Sequence, residues 1–354
     1  MVLGCLCGAV QGSARANQIT RGALSSFFNP IVTRSSFNSA KRSSVRPWRI
    51  IMLARRATLM LPGLALMPRL AGAQEDWRQQ IREVRFGMIS VENERDAIAR
   101  LQGLQAYMSR ELRTTFRVFR GSDYAAVVEA MRAGHSELGY LGPASYGLAR
   151  RVMGERIAPI FRYIDNEGLE GYHSVMLVKA DSPFQQVQDL RGKTLGFSDP
   201  NSTSGFQVPG WFLRRQGMDP ASFFARTGFT GSHEQGVMAV INGTFDAAVV
   251  AYSNERRNTF QRMAEKGMIP SGAVRVVWKS PLIPNSPIVI RKDLPAALQR
   301  EVIAALAAFP ERDPQAFRDM SSDARGLAVA KHEDYLDIVA ILEENAARRR
   351  ERRS

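Results

Sequence analysis

At 354 residues the chain is long enough for two domains of ordinary size with a substantial core. Its formal charge of +14 points at first to a nucleic-acid or membrane partner, but the charge sits at the ends: residues 1–73 carry ten Lys or Arg and no acidic residue, and 348–353 carry five Arg against one Glu. That leaves 33 basic and 33 acidic residues for 74–347, so the body is formally neutral and its charge supports no nucleic-acid groove.

The front end reads as a targeting segment. Arg55-Arg56 precedes a short apolar run at 59–67, and Ala71-Gly72-Ala73 gives the small-x-small pattern of a signal peptidase site, with Gln74 as the first mature residue. The run is too short for a membrane span, which needs about 20 apolar residues. Two export routes fit, an ordinary Sec signal and a twin-arginine signal. Residues 1–51 are Ser- and Arg-rich without periodicity. They read as an upstream extension of a protein that begins at Met52, or as a transit peptide, which the distant cleavage pattern disfavours. Cys5 and Cys7 both lie in this stretch, so the exported body has no thiol, no disulfide and no Cys-based metal site.

Downstream, strand-like and helix-like segments alternate. Residues 84–89 form a first strand, and 94–111 carry apolar residues at helical spacing. A strand at 116–119, a helix at 124–133 closed by Gly134, a strand at 138–141 and a helix at 144–153 follow. Such alternation predicts a parallel or mixed sheet flanked by helices. The strand at 174–179 leads away to a second unit, with strands at 193–197, near Phe229 and at 245–251, and helices at 203–216 and 233–242. A strand at 274–279 precedes a kinked connection bracketed by Pro281, Pro284 and Pro287, then Ile288-Val289-Ile290 and helices at 295–308 and 332–344. Two α/β lobes joined by strand-like crossovers predict a clamshell with its ligand beyond the carboxyl ends of the strands.

The stretch "SDPNSTSGFQVPG" at 198–210 lies between a strand and a helix start. The first N–H groups of a helix lack intrahelical partners, and the helix dipole is positive there. Ser202, Thr203 and Ser204 bring hydroxyls to that point and Gly205 permits close approach, which together make an oxyanion cradle. A plain Ser/Thr cap that serves only the helix fits the same spacing. Gly231-Ser232-His233 precedes a second helix in the same way, so His233 is either a ligand donor or a loop histidine; Tyr124 opens a third helix, as a site residue or as packing. Other chemistries fail. Gly192-Lys193-Thr194 ends like a phosphate-binding loop, but position 187 is Val and the segment precedes a strand. The four histidines are widely spaced, so no metal site is expected, and Ser204 lacks a hydrolase elbow. With no nucleophile–base pair and no cofactor motif, the expectation is a protein that is not an enzyme and carries no cofactor.

Phe86-Gly87-Met88-Ile89-Ser90, Ser122-Asp123-Tyr124, Leu141-Gly142-Pro143, "DPNSTSGFQVPG" from Asp199, "GSHEQGVMAVINGTFDAA" from Gly231 and "WKSPLIPNSPIVIRK" from Trp278 occur in order from about residue 83 to 310. This combination resembles the phosphonate ABC-transporter substrate-binding proteins of the PhnD type. The resemblance implies a type II periplasmic-binding-protein clamshell, with a leader at 1–73, one lobe at 74–178 to which 287–345 returns, a second lobe at 179–286 and a basic tail at 346–354. It implies a periplasmic protein that closes on a phosphorus oxyanion and delivers it to an inner-membrane permease driven by an ATPase, with no nucleic-acid partner. It places the oxyanion on Tyr124, Ser202, Thr203 and His233, with Ser204 in the same block. A family tyrosine falls on Leu141; neighbouring Tyr140 is a candidate substitute, though strand alternation turns it to the other face. Ser90 is a further tail contact. The carboxylates that hold an aminoethyl tail fall on Ser253 and Ser286, and two neutral serines cannot neutralise a buried ammonium unless Glu255 or Asp246 reaches in. A ligand without an amino tail is expected: phosphate, phosphite, a small alkylphosphonate, or a polar phosphonate or phosphate ester. Two alternatives are a binding protein that feeds a signalling partner and a binder of another small oxyanion.

Overall fold

The computed structural model describes residues 76–89, 94–321 and 324–351, all within the compact unit of residues 70–354. The leader, Ser90 and the last three residues lie outside the described residues.

The first sheet is built from β1 (Glu83–Met88), β2 (Thr115–Arg120) and β3 (Leu138–Tyr140), which run parallel and are connected by α1 (Glu94–Leu112) and α2 (Tyr124–Arg132). After α3 (Pro143–Met153) comes β4 (Ile157–Ile164), a strand that the sequence pattern did not reveal. Pro159 argues against a strand because it cannot donate to a ladder. The fold seats it at a bulge, where the register with the later strand shifts between Ile288 and Val289.

The chain then crosses to a second sheet. Its centre is β5 (Gly171–Lys179), with the parallel pair β6 (Thr194–Phe197) and β7 (Arg226–Phe229) beyond β8 (Ala247–Tyr252). Helices α4 (Val208–Arg215), α5 (Pro220–Phe223), α6 (His233–Ile241) and α7 (Thr259–Glu265) accompany it. On the other edge of β5 lie β9 (Val274–Lys279) and β10 (Ile283–Pro284). Because the whole of β5 belongs to this sheet, the first crossover falls at 165–170, upstream of the expected boundary at 178.

The return strand β11 (Pro287–Arg291) pairs antiparallel with both β3 and β4, and α8 (Ala296–Arg312), α9 (Pro314–Ser321), β12 (Gly326–Val329) and α10 (Leu336–Glu351) complete the first lobe. The two crossovers are tied together: Asn285 N–H donates to the Glu170 carbonyl at 2.9 Å and its side-chain amide to the Tyr163 carbonyl at 2.8 Å.

Each sheet carries helices on both faces, over four apolar clusters built around residues such as Tyr107 and Phe309, Val127 and Tyr146, Leu195 and Phe223, and Val237 and Met263. A fifth, smaller cluster of Ala144, Val208, Ile283 and Ile338 joins the lobes. Among the described residues no helix is long and apolar enough to cross a membrane.

The expected helix at 203–216 does not start as an α-helix. Thr203–Gln207 is a wide π-type turn ahead of α4. The cause is Pro209, whose missing N–H leaves the Gly205 carbonyl without its α-helical donor. Ser198 N–H takes that carbonyl instead at 3.1 Å, while Gln207 N–H bonds back to the Ser202 carbonyl at 3.0 Å. The widened turn keeps Ser202, Thr203 and Ser204 together at the end of β6.

Candidate functional site

A cavity of about 200 Å3 lies between the sheets. Its walls come from the carboxyl ends of parallel strands, where an α/β sheet leaves a crevice. Tyr124 opens α2 after β2, Gly142 precedes α3 after β3, Ser202, Thr203 and Ser204 follow β6, and His233 opens α6 after β7. Four helix starts therefore face one small volume, and each adds positive potential to it.

Three of these starts are capped by a nearby side chain: Asp123 accepts from Ala126 N–H at 2.8 Å, Ser202 from Gly205 N–H at 3.0 Å and Ser232 from Gln235 N–H at 3.1 Å. Helix α3, with Gly142 at its cap position, has no such residue. Thr203 of the other lobe supplies the acceptor, its Oγ1 receiving Ala144 N–H at 2.9 Å. Among the further bonds between the lobes are Ser145 Oγ to the Asn201 carbonyl at 3.2 Å, Arg257 Nη2 to the Ser321 carbonyl at 2.9 Å and Trp211 Nε1 of α4 to Glu344 of α10 at 2.8 Å.

Ser202 is the meeting point of the cradle. It is 1% exposed, sits beside the Tyr124 phenol from the first lobe, and its Oγ lies 3.5 Å from His233 Nε2. His233 Nδ1 accepts Ala251 N–H at 3.1 Å, which assigns the proton of the neutral ring to Nε2, on the Ser202 side. Burial, helped by the Arg262 charge, lowers the His233 pKa to about 3. The ring is thus a neutral N–H donor at any ordinary pH. Burial likewise pushes the Tyr124 phenol well up and the Tyr172 phenol to about 12, against the opposing influence of the nearby Thr203 and Ser204 hydroxyls on Tyr172, so both keep their protons.

The depressed His233 pKa has a consequence for stability. The unfolded chain takes up the proton near pH 6.5 and the folded chain only near 3, so this contribution is complete above about pH 6.5 and is lost as pH falls toward 3. Urea unfolding between pH 4 and 7 is expected to show stability falling on acidification by up to about 1.4 kcal/mol per pH unit from this group. His233→Gln should flatten that part of the slope; an unchanged slope would contradict the buried neutral ring.

The other expected residues divide. Tyr140 lines the cavity beside Ser286 and packs on Tyr163 with ring centroids 5.6 Å apart. Leu141 points the other way, into the core beside Val127 and Tyr146. Alternation between the two holds, but its phase is opposite to the expected one: Tyr140 reaches the cleft and Leu141 does not. Ser253 and Ser286 are on the wall; the exposed Glu255 is not among the lining residues, and neither is Asp246, which accepts from Thr194 N–H and Oγ1 at 2.8 Å each.

Sequence reasoning missed Tyr163, Asp165, Tyr172, Arg100, Arg257 and Asn285, all on the wall. Tyr163 and Asp165 lie at and just after the end of the unrecognised β4, and Tyr172 is the second residue of β5, two residues before the part of it read as strand. The described residues contain no His, Cys, Asp and Glu cluster that could hold a metal.

The chain matches the family described as "ABC transporter, phosphonate, periplasmic substrate-binding protein" over residues 86–335. It is 33% identical over 221 residues to the phosphonates-binding periplasmic protein of Escherichia coli (strain K12), covering 61% of this chain and 63% of that one. It is 32% identical over 211 residues to the phosphate-import protein PhnD of Mycolicibacterium smegmatis, covering 57% and 64%. In both cases the matched region is under two thirds of the relative's own length. Among solved structures, the binding protein component of an ABC phosphonate transporter from Pseudomonas aeruginosa superposes with a TM-score of 0.66 at 25% identity, covering 73% of this chain and 85% of that one. PhnD1 from Prochlorococcus marinus (MIT 9301), solved with methylphosphonate, gives 0.66 at 21%, covering 75% and 98%, a likeness of fold.

Proposed function

Since the chain belongs to the family of periplasmic substrate-binding proteins of phosphonate ABC transporters, a family of binding proteins with a two-lobe clamshell fold, we propose that it captures a small phosphorus oxyanion between its lobes and hands it to a membrane permease with its ATPase. The observation that carries this reading is the convergence of helix starts on one cavity, with the Ser202 hydroxyl between the Tyr124 phenol and the His233 Nε2–H. All three groups are neutral donors, and a tetrahedral oxyanion presents acceptor oxygens in several directions at once. Hydrogen bonds to a charged group are worth roughly 1.5–3 kcal/mol each. Three or four of them reach the roughly 8 kcal/mol of micromolar binding without any cation at the head. In this reading Tyr124, Ser202, Ser204, Tyr172 and His233 hold the head, and Thr203 serves both head and lobe closure. The cavity is smaller than the roughly 300–1,000 Å3 of pockets for drug-sized ligands, which favours phosphate, phosphite or a short phosphonate or phosphate ester. The protein acts in the periplasm, and the crossovers at 165–170 and 285–286 are the hinge.

Calorimetric titration of the purified protein with phosphate, phosphite and methylphosphonate tests the reading. Micromolar or tighter binding of at least one is expected; heat from none of the three, with sulfate equally silent, would remove the phosphorus-oxyanion assignment.

A further inference from the structure

Helix α10 belongs to the first lobe but meets the oxyanion cradle of the second. It lies on α3 so closely that a Cβ on Gly147 would stand 2.5 Å from Leu342 Cδ1. One turn on comes Asn345, which is 7% exposed and does not line the cavity. Asn is a poor residue for a helix interior, and burying its amide is costly unless each polar group is bonded. Here each one is. Arg214 can only donate, so its Nη2 fixes Asn345 Oδ1 as the acceptor and turns Nδ2 the other way. Nδ2 donates twice to one residue of the other lobe, to Gln207 Oε1 at 2.7 Å and to the Gln207 carbonyl at 3.2 Å. Gln207 is 2% exposed and passes the contact on: its Nε2 donates to the Pro200 carbonyl and its N–H to the Ser202 carbonyl at 3.0 Å. Pro200 and Gln207 are the two ends of the segment that holds Ser202, Thr203 and Ser204. One buried amide thus fixes a second, and the second spans the cradle from end to end.

Resting on the oxyanion reading above, we propose that Asn345 is a positioning residue for the oxyanion: acting through Gln207 from the opposite lobe, it holds segment 200–207 in the shape that brings Ser202, Thr203 and Ser204 to the cavity. The relay exists only while α10 rests against α4, so the head site is complete only in the shut protein. Parting the lobes breaks both Asn345–Gln207 bonds and lets the Gln207 amide turn away from Pro200. The grip on the ligand then loosens as the cleft opens, because the ligand's preference for the shut form includes a cradle that only this form completes.

The test is a double-variant cycle. Phosphate, phosphite and methylphosphonate are titrated calorimetrically into the wild type, Asn345→Ala, Gln207→Ala and the double variant, with stopped-flow dissociation rates beside them. The stoichiometry of each titration gives the folded fraction, so that affinity is read on folded protein. Asn345→Ala is expected to bind the tightest of the three about tenfold more weakly, through faster dissociation. Adding it to Gln207→Ala should lose nothing further. Asn345→Asp keeps the acceptor for Arg214 and sets an oxygen against both Gln207 oxygens, so it should lose affinity in the same way even where Asn345→Ala does not fold. Glu344→Gln is the control: it alters the carboxylate that meets Trp211 Nε1 at 2.8 Å and Arg215 Nη2 at 3.3 Å, between the same two helices and outside the relay. Its affinity should stay within about twofold of wild type. Wild-type affinity in Asn345→Ala or Asn345→Asp, losses that multiply in the double variant, or an equal loss in Glu344→Gln each overturns the proposal. Wild-type binding of a phosphorus ligand in those cases leaves the oxyanion reading intact. A wild type that binds none of the three removes that reading and this proposal with it.

Discussion

Gly205→Ala is expected to abolish oxyanion binding and to cost about 2–3 kcal/mol of stability, at the upper end of what overpacking usually does. A Cβ on Gly205 would lie 1.6 Å from Ser198 Oγ, 2.7 Å from Ser198 Cβ and 2.8 Å from Ser202 Oγ. Rotating the Ser198 side chain removes the first clash and leaves the second. Neither backbone can retreat freely: Ser198 N–H holds the Gly205 carbonyl at 3.1 Å, and the Ser198 carbonyl accepts Gly231 N–H at 2.8 Å, next to the start of α6. Any shift that relieves the contact therefore moves Ser202 and His233 apart. Chemical denaturation and calorimetry on Gly205→Ala, with Ser198→Gly added in the same background, read this out. Partial recovery of both quantities in the double variant is expected, and a Gly205→Ala protein with wild-type midpoint and affinity would refute the packing argument.

The second large effect belongs to Ser202→Ala. It removes the hydroxyl that lies beside Tyr124 and His233 and is expected to weaken the tightest phosphorus ligand about 10- to 150-fold, the equivalent of one hydrogen bond to a charged group at roughly 1.5–3 kcal/mol. It also uncaps Gly205 N–H, which costs about 1 kcal/mol of stability in its own right. Ser232→Ala separates the two contributions. Ser232 caps Gln235 N–H at the start of α6 but does not line the cavity. The two variants should lose similar stability, and only Ser202→Ala should lose affinity. Equal affinities in the two would reduce Ser202 to a helix cap.

These two variants fall where the sequence spoke most clearly. Strand, Ser/Thr-rich turn and helix start are local signals, and the block from Asp199 carries all three within a dozen residues. What the sequence hid is non-local. Pro159 made β4 look like a loop because its place at a bulge depends on β11, more than a hundred residues later. With β4 went Tyr163 and Asp165, and with them the carboxylate of the wall. The phase of Tyr140 and Leu141 was ambiguous for a related reason. Alternation fixes that they face opposite ways, but only the helices packed on the sheet decide which way is the cleft. The π-type turn was encoded locally, in Pro209, yet a helix interrupted in its first turn has the same apolar pattern as an uninterrupted one. Helices α7 and α9 and strand β12 are short, between four and eight residues, and give periodicity too little length to register.

In the proposed capture of an oxyanion between opening and closing lobes, the threonine that caps α3 from the opposite lobe would link ligand affinity to a conformational equilibrium. Separating the lobes exchanges Thr203 Oγ1 for water at Ala144 N–H, so this bond contributes only while the jaws are together. A ligand that binds the shut form pays in proportion to how seldom that form is occupied beforehand, since apparent affinity scales with the competent fraction. A cap worth about 1 kcal/mol raises the ratio of shut to open molecules roughly fivefold. That factor is common to every ligand and leaves their order of preference unchanged. Thr203 thereby tunes how much free ligand is needed to load the protein, while the chemistry of the walls decides which ligand that is.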